Sequence, residues 1–287
     1  MSRVAVLSDI HGNLEALDAV LADLELQTAD RLVVLGDTVG YGPNPRECLE
    51  RISAIAEVLL IGNHEADLIQ PDPDMDVDQD LRDWTKAQLA GLPAWEAVER
   101  RVHEVGVDGA GSGVVEGMRL VHGSPAAPTT QYIWPAHPCQ YLVFNWQIGE
   151  RLREFLQEYD LRIGCCGHTH VPAVLTEYEA FPIFDPYEAA FEWNREKSFV
   201  SPQALFVVPR GGATLELPPD AKIVINPGSV GQPRDENPAA SYALVDSSSV
   251  EFRRVEYDST PTLEKLSAMP IDPETCDDLL ERLRSAR

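Results

Sequence analysis

The chain has 287 residues, 44% of them hydrophobic, which is enough for one large domain or two small domains with a buried core. Its 23 basic and 47 acidic side chains give a net charge of −24, which argues against nonspecific duplex binding and against docking on anionic lipid. No apolar run approaches the about 18 to 20 residues of a membrane helix, and the N-terminus does not resemble a signal peptide, so we expect a cytoplasmic protein.

The first part of the chain alternates short apolar runs with amphipathic stretches, which is typical of an α/β layered fold. Leucines recur at helical spacing from Leu14 to Leu24, and Asn13 stands where a helix N-cap is expected. We predict strands over 4–7, 31–35, 56–61, 118–121 and 161–166. We predict helices over 14–24, 45–52, 82–89 and 138–158.

From about Val171 the sequence favours β structure. We predict strands over 171–178, 204–208, 213–217, 222–225, 242–245 and 250–257, the last after a serine-rich hairpin turn. The prolines and aromatics over about 179–203 indicate an excursion from the domain. We therefore expect one domain over 1–260 and a charged helical tail over 261–287.

Two further patterns do not predict a site. The aspartates that alternate over 72–80 look like a calcium loop, but Val77 and Asp83 stand where that loop needs glycine and glutamate, so we expect a solvated acidic loop. The cysteines are odd in number and form no CxxC pair, which argues against disulfides and a thiolate zinc site. They are Cys48, Cys139, Cys165, Cys166 and Cys276.

Five short polar clusters each follow a predicted strand. They are Asp9-Ile10-His11-Gly12-Asn13, Gly36-Asp37, Gly62-Asn63-His64-Glu65, Val121-His122-Gly123 and Gly167-His168-Thr169-His170. Because ligands bind at the carboxyl ends of strands in α/β sheets, we expect the clusters to meet in one crevice. Five of the seven histidines lie in these clusters, and only His103 and His137 lie outside them.

The residue types in these clusters favour metal binding. Aspartate, asparagine and histidine supply oxygen and nitrogen without thiolate, a set that suits Mn²⁺, Fe, Co²⁺, Ni²⁺ or Zn²⁺ better than Ca²⁺. Seven candidate ligands are too many for one ion but fit two ions that share a carboxylate. Such a pair, about 3.5–4 Å apart, stabilises both the attacking and the leaving oxygen in a phosphoryl transfer.

The order of the clusters, over roughly residues 1 to 245, resembles the calcineurin-like metallophosphoesterases. The resemblance implies a four-layer αββα sandwich, with two mixed sheets flanked by helices, and hydrolysis of a phosphate ester by a hydroxide that bridges two metal ions. It implies that the first ion is held by Asp9, His11, Asp37 and His170. It implies that the second is held by Asp37, Asn63, His122 and His168, with Asp37 as the bridge. His64 would be the catalytic residue that assists the leaving oxygen.

Two departures from the superfamily pattern bear on the substrate. Its phosphoprotein phosphatases carry Gly-Asp-x-Val-Asp-Arg-Gly at the second cluster. Here Gly40 replaces the aspartate that orients the catalytic histidine, and Tyr41 replaces an arginine that grips phosphate. Arginine forks bind a phosphomonoester dianion through two hydrogen bonds, so their loss favours a phosphodiester. The Gly-His-Thr-His ending is also closer to the small prokaryotic phosphodiesterase-type branch.

We expect a small phosphoester substrate, with nucleotide-containing diesters among the candidates. Asn13, Tyr41 and Arg234 are candidate substrate contacts, the last in a Gly-rich loop over 226–234. Tyr132 and Trp134 could stack on a nucleobase, whereas the aromatics over 141–146 are more typical of a buried helix face. The alternatives are a phosphatase acting on phosphoproteins or other monoesters, and a non-catalytic scaffold, which the retention of every ligand and of His64 disfavours.

Overall fold

The computed structural model describes residues 2–71, 77–132, 146–177, 199–200, 205–209 and 212–287. Its helices are α1 (Leu14–Glu25), α2 (Pro45–Ser53), α3 (Asn63–Ile69), α4 (Gln79–Leu89), α5 (Pro93–Ala110), α6 (Trp146–Glu158), α7 (Thr260–Ser267) and α8 (Pro273–Ser285). Its strands are β1 (Val4–Leu7), β2 (Arg31–Val34), β3 (Val58–Leu59), β4 (Ser112–Val115), β5 (Met118–Val121), β6 (Ile163–Cys165), β7 (Pro172–Thr176), β8 (Phe199–Val200), β9 (Leu205–Val207), β10 (Thr214–Glu216), β11 (Ile223–Pro227), β12 (Ala240–Val245) and β13 (Ser249–Val255).

The strands form two mixed sheets. The first has the order β10-β13-β12-β1-β2-β3 and the second the order β4-β5-β6-β11-β7-β9-β8. In the first sheet β1 pairs parallel with β2 and antiparallel with β12. In the second, β11 pairs parallel with β6 and antiparallel with β7. The four-layer fold predicted from the sequence is confirmed by this pair of sheets and by the helices that cover them.

Strand β1 shows why its sequence is apolar at every position. Val4 and Val6 belong to the core between the two sheets, where residues such as Ile163 and Ile225 of the second sheet also lie. The alternate residues Ala5 and Leu7 pack on the other face, in a cluster that includes buried residues of α1 and α2. Since successive side chains of a strand point to opposite faces, a strand buried on both faces has no polar position.

Most predicted elements are confirmed, and the exceptions have physical reasons. Helices α3 and α5 and strand β4 were not predicted, although Trp95, Val98 and Val102 of α5 are buried at helical spacing. The predicted strand over 56–61 is observed only as the short strand β3, although Glu57 N and Leu60 N also donate to Leu32 O and Val34 O of β2. Beyond Leu60 the pairing ends, because Ile61 N donates to Ala110 O instead.

Parts of several predictions lie outside the described residues, including residues 72–76 of the predicted acidic loop. The long helix predicted over 138–158 is observed as α6, and residues 133–145 before it are not described. Within the excursion predicted over about 179–203, only 199–200 is described, as β8. The division between a domain over 1–260 and a tail over 261–287 stays a prediction.

The C-terminal helix pair, α7 and α8, packs against the body of the protein. Leu266 and Leu279 lie in a buried cluster with Leu81 of α4, and Tyr41 packs against the same cluster. Thr262 donates a hydrogen bond near the start of α1, where Glu15 accepts at 2.6 Å. Within the described part of the chain, none of the helices combines the length and apolar character of a membrane span.

Candidate metal centre

The polar clusters lie at the carboxyl ends of strands from both sheets. Asp9 and His11 follow β1, and Asp37 follows β2, which runs parallel to it. In the other sheet His122 follows β5, and His168 follows the parallel strand β6. Parallel strands bring their carboxyl ends to one edge, which is why residues distant in sequence meet here.

The backbone at these positions is unusual. Asp9, His11, Asp37, His168 and His170 have φ values of 55°, 48°, 51°, 67° and 59°, in the left-handed region that disfavours side chains other than glycine. Such a conformation costs about 1–3 kcal/mol per residue and persists only where the surroundings enforce it. Here the loops hold one another: Asp9 N donates to Gly36 O at 3.1 Å, and His11 N donates to Asp37 O at 2.9 Å.

Four buried ligand-type side chains form a first cluster. They are Asp9, His11, Asp37 and His170, whose ligand atoms lie within 4.8 Å of one another. His170 Nε2 is 3.0 Å from His11 Nε2 and 3.3 Å from Asp9 Oδ1. Asp37 Oδ2 is 3.7 Å from His11 Nε2.

A second cluster shares Asp37 with the first. It contains Asp37, His122 and His168, again within 4.8 Å of one another. His122 Nε2 is 3.3 Å from Asp37 Oδ2 and 3.2 Å from His168 Nδ1. The Asn63 side-chain oxygen is 3.1 Å from the same nitrogen of His122. The structure therefore brings all seven predicted ligands together, with Asp37 between the two groups.

The hydrogen bonds of the histidines fit a bound cation. His11 Nδ1 lies 3.2 Å from Val39 O, and His170 Nδ1 lies 2.6 Å from Gln232 O. A carbonyl oxygen can only accept, so both Nδ1 atoms carry the proton and both Nε2 atoms present lone pairs. Two lone pairs facing each other across 3.0 Å repel unless a cation lies beside them. Histidine ligands anchored in this way are the usual arrangement in metal sites.

The carboxylates are charged in this buried setting. Burial opposes ionisation of Asp9, but attraction to His170 outweighs it and the net pKa of Asp9 is lowered. Burial likewise opposes ionisation of Asp37, and attraction to His122 and His64 lowers its pKa well below the usual range. Two buried anions surrounded by histidines are the electrostatic counterpart of a cation site.

The histidines divide into two kinds. Burial lowers the pKa of His168 to about 3, and it also lowers the pKa of His11 and His170. For His122 burial acts in the same direction, but attraction and a hydrogen bond to Asp37 outweigh it and raise its pKa to about 9. His122 Nδ1 is buried and has no hydrogen-bond partner among the described residues.

His64 lies beside both clusters and belongs to neither of them. Its side chain is buried at 5% exposure in the first turn of α3, and its backbone amide donates to Asp37 Oδ1 at 3.0 Å. Its ring centroid is 4.9 Å from that of His11 and 4.3 Å from that of Tyr41. Burial lowers the pKa of His64.

Glu65 is a site residue whose role was not predicted from the sequence. Its buried carboxylate accepts hydrogen bonds from four backbone amides, those of Asp37, Thr38, Val39 and Gly62, at 2.7–3.1 Å. It thereby joins the loop that carries Asp37 to the loop that carries Asn63. Its place inside the cluster Gly62-Asn63-His64-Glu65 was the one available signal.

Arg234, predicted from the sequence as a substrate contact, lies close to the two ligand clusters. Its charge is close enough to lower the pKa of both His64 and His170, and its guanidinium hydrogen-bonds Tyr132 and Gln232. Among the described residues no carboxylate forms an ion pair with it. The Tyr132 ring stacks on His168 with 3.7 Å between centroids and remains 44% exposed. Trp134 lies outside the described residues.

Asn13 is a structural residue in this arrangement. The predicted N-cap is confirmed, since its Oδ1 accepts from Ala16 N at 3.2 Å. The Thr262 hydroxyl lies 3.1 Å from that oxygen, while Nδ2 donates to Gly231 O and Tyr257 Oη. With 1% exposure and every polar group engaged, the Asn13 amide has no donor left for the substrate contact expected from the sequence.

Comparisons with known proteins agree with this geometry. The family model described as calcineurin-like phosphoesterase matches residues 2–172. The chain is 30% identical over 276 residues to an uncharacterised protein of Methanocaldococcus jannaschii, with 92% of both chains covered. Its fold matches the crystal structure of a metallophosphoesterase from Sphaerobacter thermophilus with a TM-score of 0.73 and 29% identity, covering 99% of this chain and 100% of the other. A hypothetical protein from Pyrococcus horikoshii shares the fold at a TM-score of 0.58 and 21% identity, covering 97% and 98%.

Proposed function

Since the chain belongs to the calcineurin-like phosphoesterase family, whose members are metal-dependent hydrolases of phosphoric esters, we propose that it cleaves a phosphodiester with the help of two divalent ions. The observation that carries the proposal is the position of Asp37, whose carboxylate belongs to both ligand clusters. A shared carboxylate is the usual bridge of a paired metal site.

The ligand assignment follows the two clusters. Asp9, His11, Asp37 and His170 would hold one ion, and Asp37, Asn63, His122 and His168 the other. The mixed oxygen and nitrogen donors suit Mn²⁺, Fe, Co²⁺, Ni²⁺ or Zn²⁺. Ions bound there would supply a hydroxide nucleophile at neutral pH and offset the negative charge that develops on the phosphoryl oxygens.

His64 and Arg234 supply the remaining chemistry. His64 is buried beside the clusters without belonging to them, which suits a group that gives a proton to the leaving oxygen. Arg234 would bind a non-bridging phosphoryl oxygen, because its guanidinium lies near the centre and has no carboxylate partner among the described residues. Tyr41, in contact with His64, would line the same side.

The diester preference rests on the loop after β2. A monoester dianion calls for paired guanidinium groups, and Tyr41 stands where the phosphoprotein phosphatases of the superfamily place one of them. Arg234 nevertheless supports a monoester as the second candidate, since it is one cation of the kind such enzymes use. Tyr132 supports a nucleotide-containing diester, because its exposed ring could stack on a base for about 1–3 kcal/mol.

Activity measurements with reconstituted protein test the proposal. The purified protein is stripped of metal, loaded with each candidate ion, and assayed on bis(4-nitrophenyl) phosphate, 4-nitrophenyl phosphate, nucleotide diesters and a phosphopeptide. We expect about two ions per chain by elemental analysis and a higher kcat/KM for the diesters. Activity without bound metal would contradict the metal mechanism, and a consistent monoester preference would contradict the diester assignment.

A further inference from the structure

The catalytic histidine of this protein cannot be oriented by a side chain at position 40. Gly40 has a φ of +91°, and a Cβ atom added there would lie 2.5 Å from His64 Nδ1 and 2.8 Å from its Cγ. Both distances are far below van der Waals contact. The imidazole therefore occupies the space in which a carboxylate at this position would have to fit, and some other group must fix its orientation.

Among the ring contacts of the described residues, that of Tyr41 with His64 is closer than that of His11. Its ring meets the imidazole edge to face, with 4.3 Å between centroids and 69° between planes. The same ring lies 4.6 Å from that of His11, so it touches a predicted ligand and the catalytic histidine together. Aromatic pairs favour this tilted geometry, which restricts rotation of both rings.

The backbone of Tyr41 is held in a conformation that a bulky residue rarely adopts. Its φ is 51°, in the left-handed region. The flanking Gly42 donates a backbone hydrogen bond to His11 O at 2.9 Å, and a Cβ at Gly42 would lie 2.2 Å from that same oxygen. This close approach fixes the loop against the His11 loop, so the position of the Tyr41 ring is set by the metal-binding scaffold itself.

The other side of the Tyr41 ring is supported by the C-terminal helix pair. Tyr41 packs against the buried cluster formed by Leu81, Leu266 and Leu279 with their neighbours. It also lines a cavity of about 430 Å³ between α4 and α8, together with Asp78 and Arg282. The Tyr41 ring therefore separates the site from the cavity. One side of the ring contacts His64, and the other side lines the cavity beside α8.

We propose that Tyr41 is the positioning residue for His64, replacing by ring contact the orienting carboxylate that Gly40 excludes. The inference rests on the proposed function, in which His64 gives its proton to the leaving oxygen as the bond from phosphorus to that oxygen breaks. Contact with the Tyr41 ring limits rotation of the imidazole, so that its proton stays directed at that oxygen. The aromatic ring carries this role, and the hydroxyl does not.

The test uses two diesters that differ in how much they need a proton donor. Methyl 4-nitrophenyl phosphate releases a weakly basic anion that leaves unaided, whereas methyl phenyl phosphate releases a more basic phenoxide that benefits from protonation. For each variant kcat is measured on both esters, and the ratio of the two values is compared with wild type. The ratio does not depend on the fraction of folded enzyme, so partial misfolding cannot imitate the effect.

We expect Tyr41→Leu to lower kcat for the phenyl ester about tenfold more than for the nitrophenyl ester, and Tyr41→Phe to keep the wild-type ratio. His64→Ala should shift the ratio in the same direction, and the double variant Tyr41→Leu/His64→Ala should shift it no further, because both changes remove one function. Trp84→Leu is the matched control, since Trp84 packs in the same apolar cluster and should lower both rates equally.

Three outcomes would overturn the inference. Equal losses on both esters in Tyr41→Leu would show that the ring acts only through stability or binding. A ratio shift in Tyr41→Phe as large as in Tyr41→Leu would assign the effect to the hydroxyl, and additive shifts in the double variant would mean that Tyr41 acts independently of His64. If His64→Ala itself leaves the ratio unchanged, the proton-donor role in the proposed function fails instead.

Discussion

The two halves of the metal centre share Asp37 but are supported differently. In the first cluster, Nδ1 of each histidine donates a hydrogen bond to a backbone carbonyl, which leaves Nε2 as the ligand atom. His11 donates to Val39 O and His170 donates to Gln232 O. In the second cluster His168 is fixed in the same way on Thr130 O at 3.2 Å. His122, however, has a buried Nδ1 with no partner among the described residues.

If two ions bind as proposed, this contrast predicts that their affinities are unequal. A ligand whose second nitrogen is anchored is held in one tautomer and one orientation before the ion arrives, and loss of such support costs about 10–100-fold in metal affinity. Asn63, the predicted ligand that lies beside the second cluster, is partly exposed, whereas every residue of the first cluster is buried. We therefore expect the first cluster to bind its ion more tightly than the second.

The largest expected effect is that of Asp37→Asn. Because Asp37 belongs to both clusters, this change should weaken metal binding at both of them and so remove the difference in affinity between them. An amide cannot bridge two cations as a carboxylate does, so both ions should be lost or greatly weakened. We expect kcat/KM to fall by more than the about 10²–10⁴-fold typical of removing an acid–base group. Elemental analysis with steady-state kinetics measures both quantities. The exposed Asp220→Asn is the control, and a variant that retained two ions would refute the bridging assignment.

His64→Ala should leave the difference in metal affinity between the two clusters unchanged while it lowers the rate of the reaction. Because His64 lies in neither cluster, we expect metal content near wild type and a fall in kcat of about 10²–10⁴-fold. The exposed His103→Ala, a histidine outside the clusters, is the matched control for both measurements. Loss of an ion in His64→Ala would mean that this residue is a ligand.

A chelator titration measures the contrast directly. Protein loaded with two ions is dialysed against graded chelator and its metal content determined at each step. We expect two steps separated by about 10–100-fold in free metal concentration, since the support of His122 is the weaker. His122→Ala should remove the weaker step and His11→Ala the tighter one. A single step in the wild-type protein would show that the anchoring carbonyls do not set affinity.

The smallest expected effect is that of Glu65→Gln. Each carboxylate oxygen of Glu65 accepts hydrogen bonds from two backbone N–H groups. In glutamine an NH₂ group replaces one of these oxygens, so in either orientation it faces two N–H groups from which it cannot accept a hydrogen bond. We expect the free energy of unfolding to fall by about 1–3 kcal/mol in a denaturant titration. The weaker ion should be affected more, because Asn63 lies next to the disrupted turn. The exposed Glu47→Gln should stay within about 0.5 kcal/mol of wild type, and equal stability of the two variants would deny Glu65 its role.

Local pattern predicted the fold well where a strand is apolar on both faces or a helix has an apolar stripe, as in β1 and α1. It failed for α5, whose apolar stripe of Trp95, Val98 and Val102 is diluted by charged residues. Local pattern also could not predict the other partners of Asn13, a correctly predicted N-cap. Its side chain forms its remaining polar contacts with Gly231, Tyr257 and Thr262. Those partners are more than 200 residues away along the chain.

For the site, the sequence by itself determined which side chains could act as ligands, because aspartate, asparagine and histidine recur after successive strands in a family order. Tertiary structure alone decided how they are held. The backbone carbonyls of Val39, Thr130 and Gln232 anchor the histidines. Since every residue has a backbone carbonyl, these anchors cannot be predicted from residue type. The contact of Tyr41 with His64 likewise depends on a left-handed turn and on helices that return from the end of the chain. The chemical type of each ligand can be read from the sequence, whereas the distances between the ligands and their orientations are set only when strands from two sheets come together.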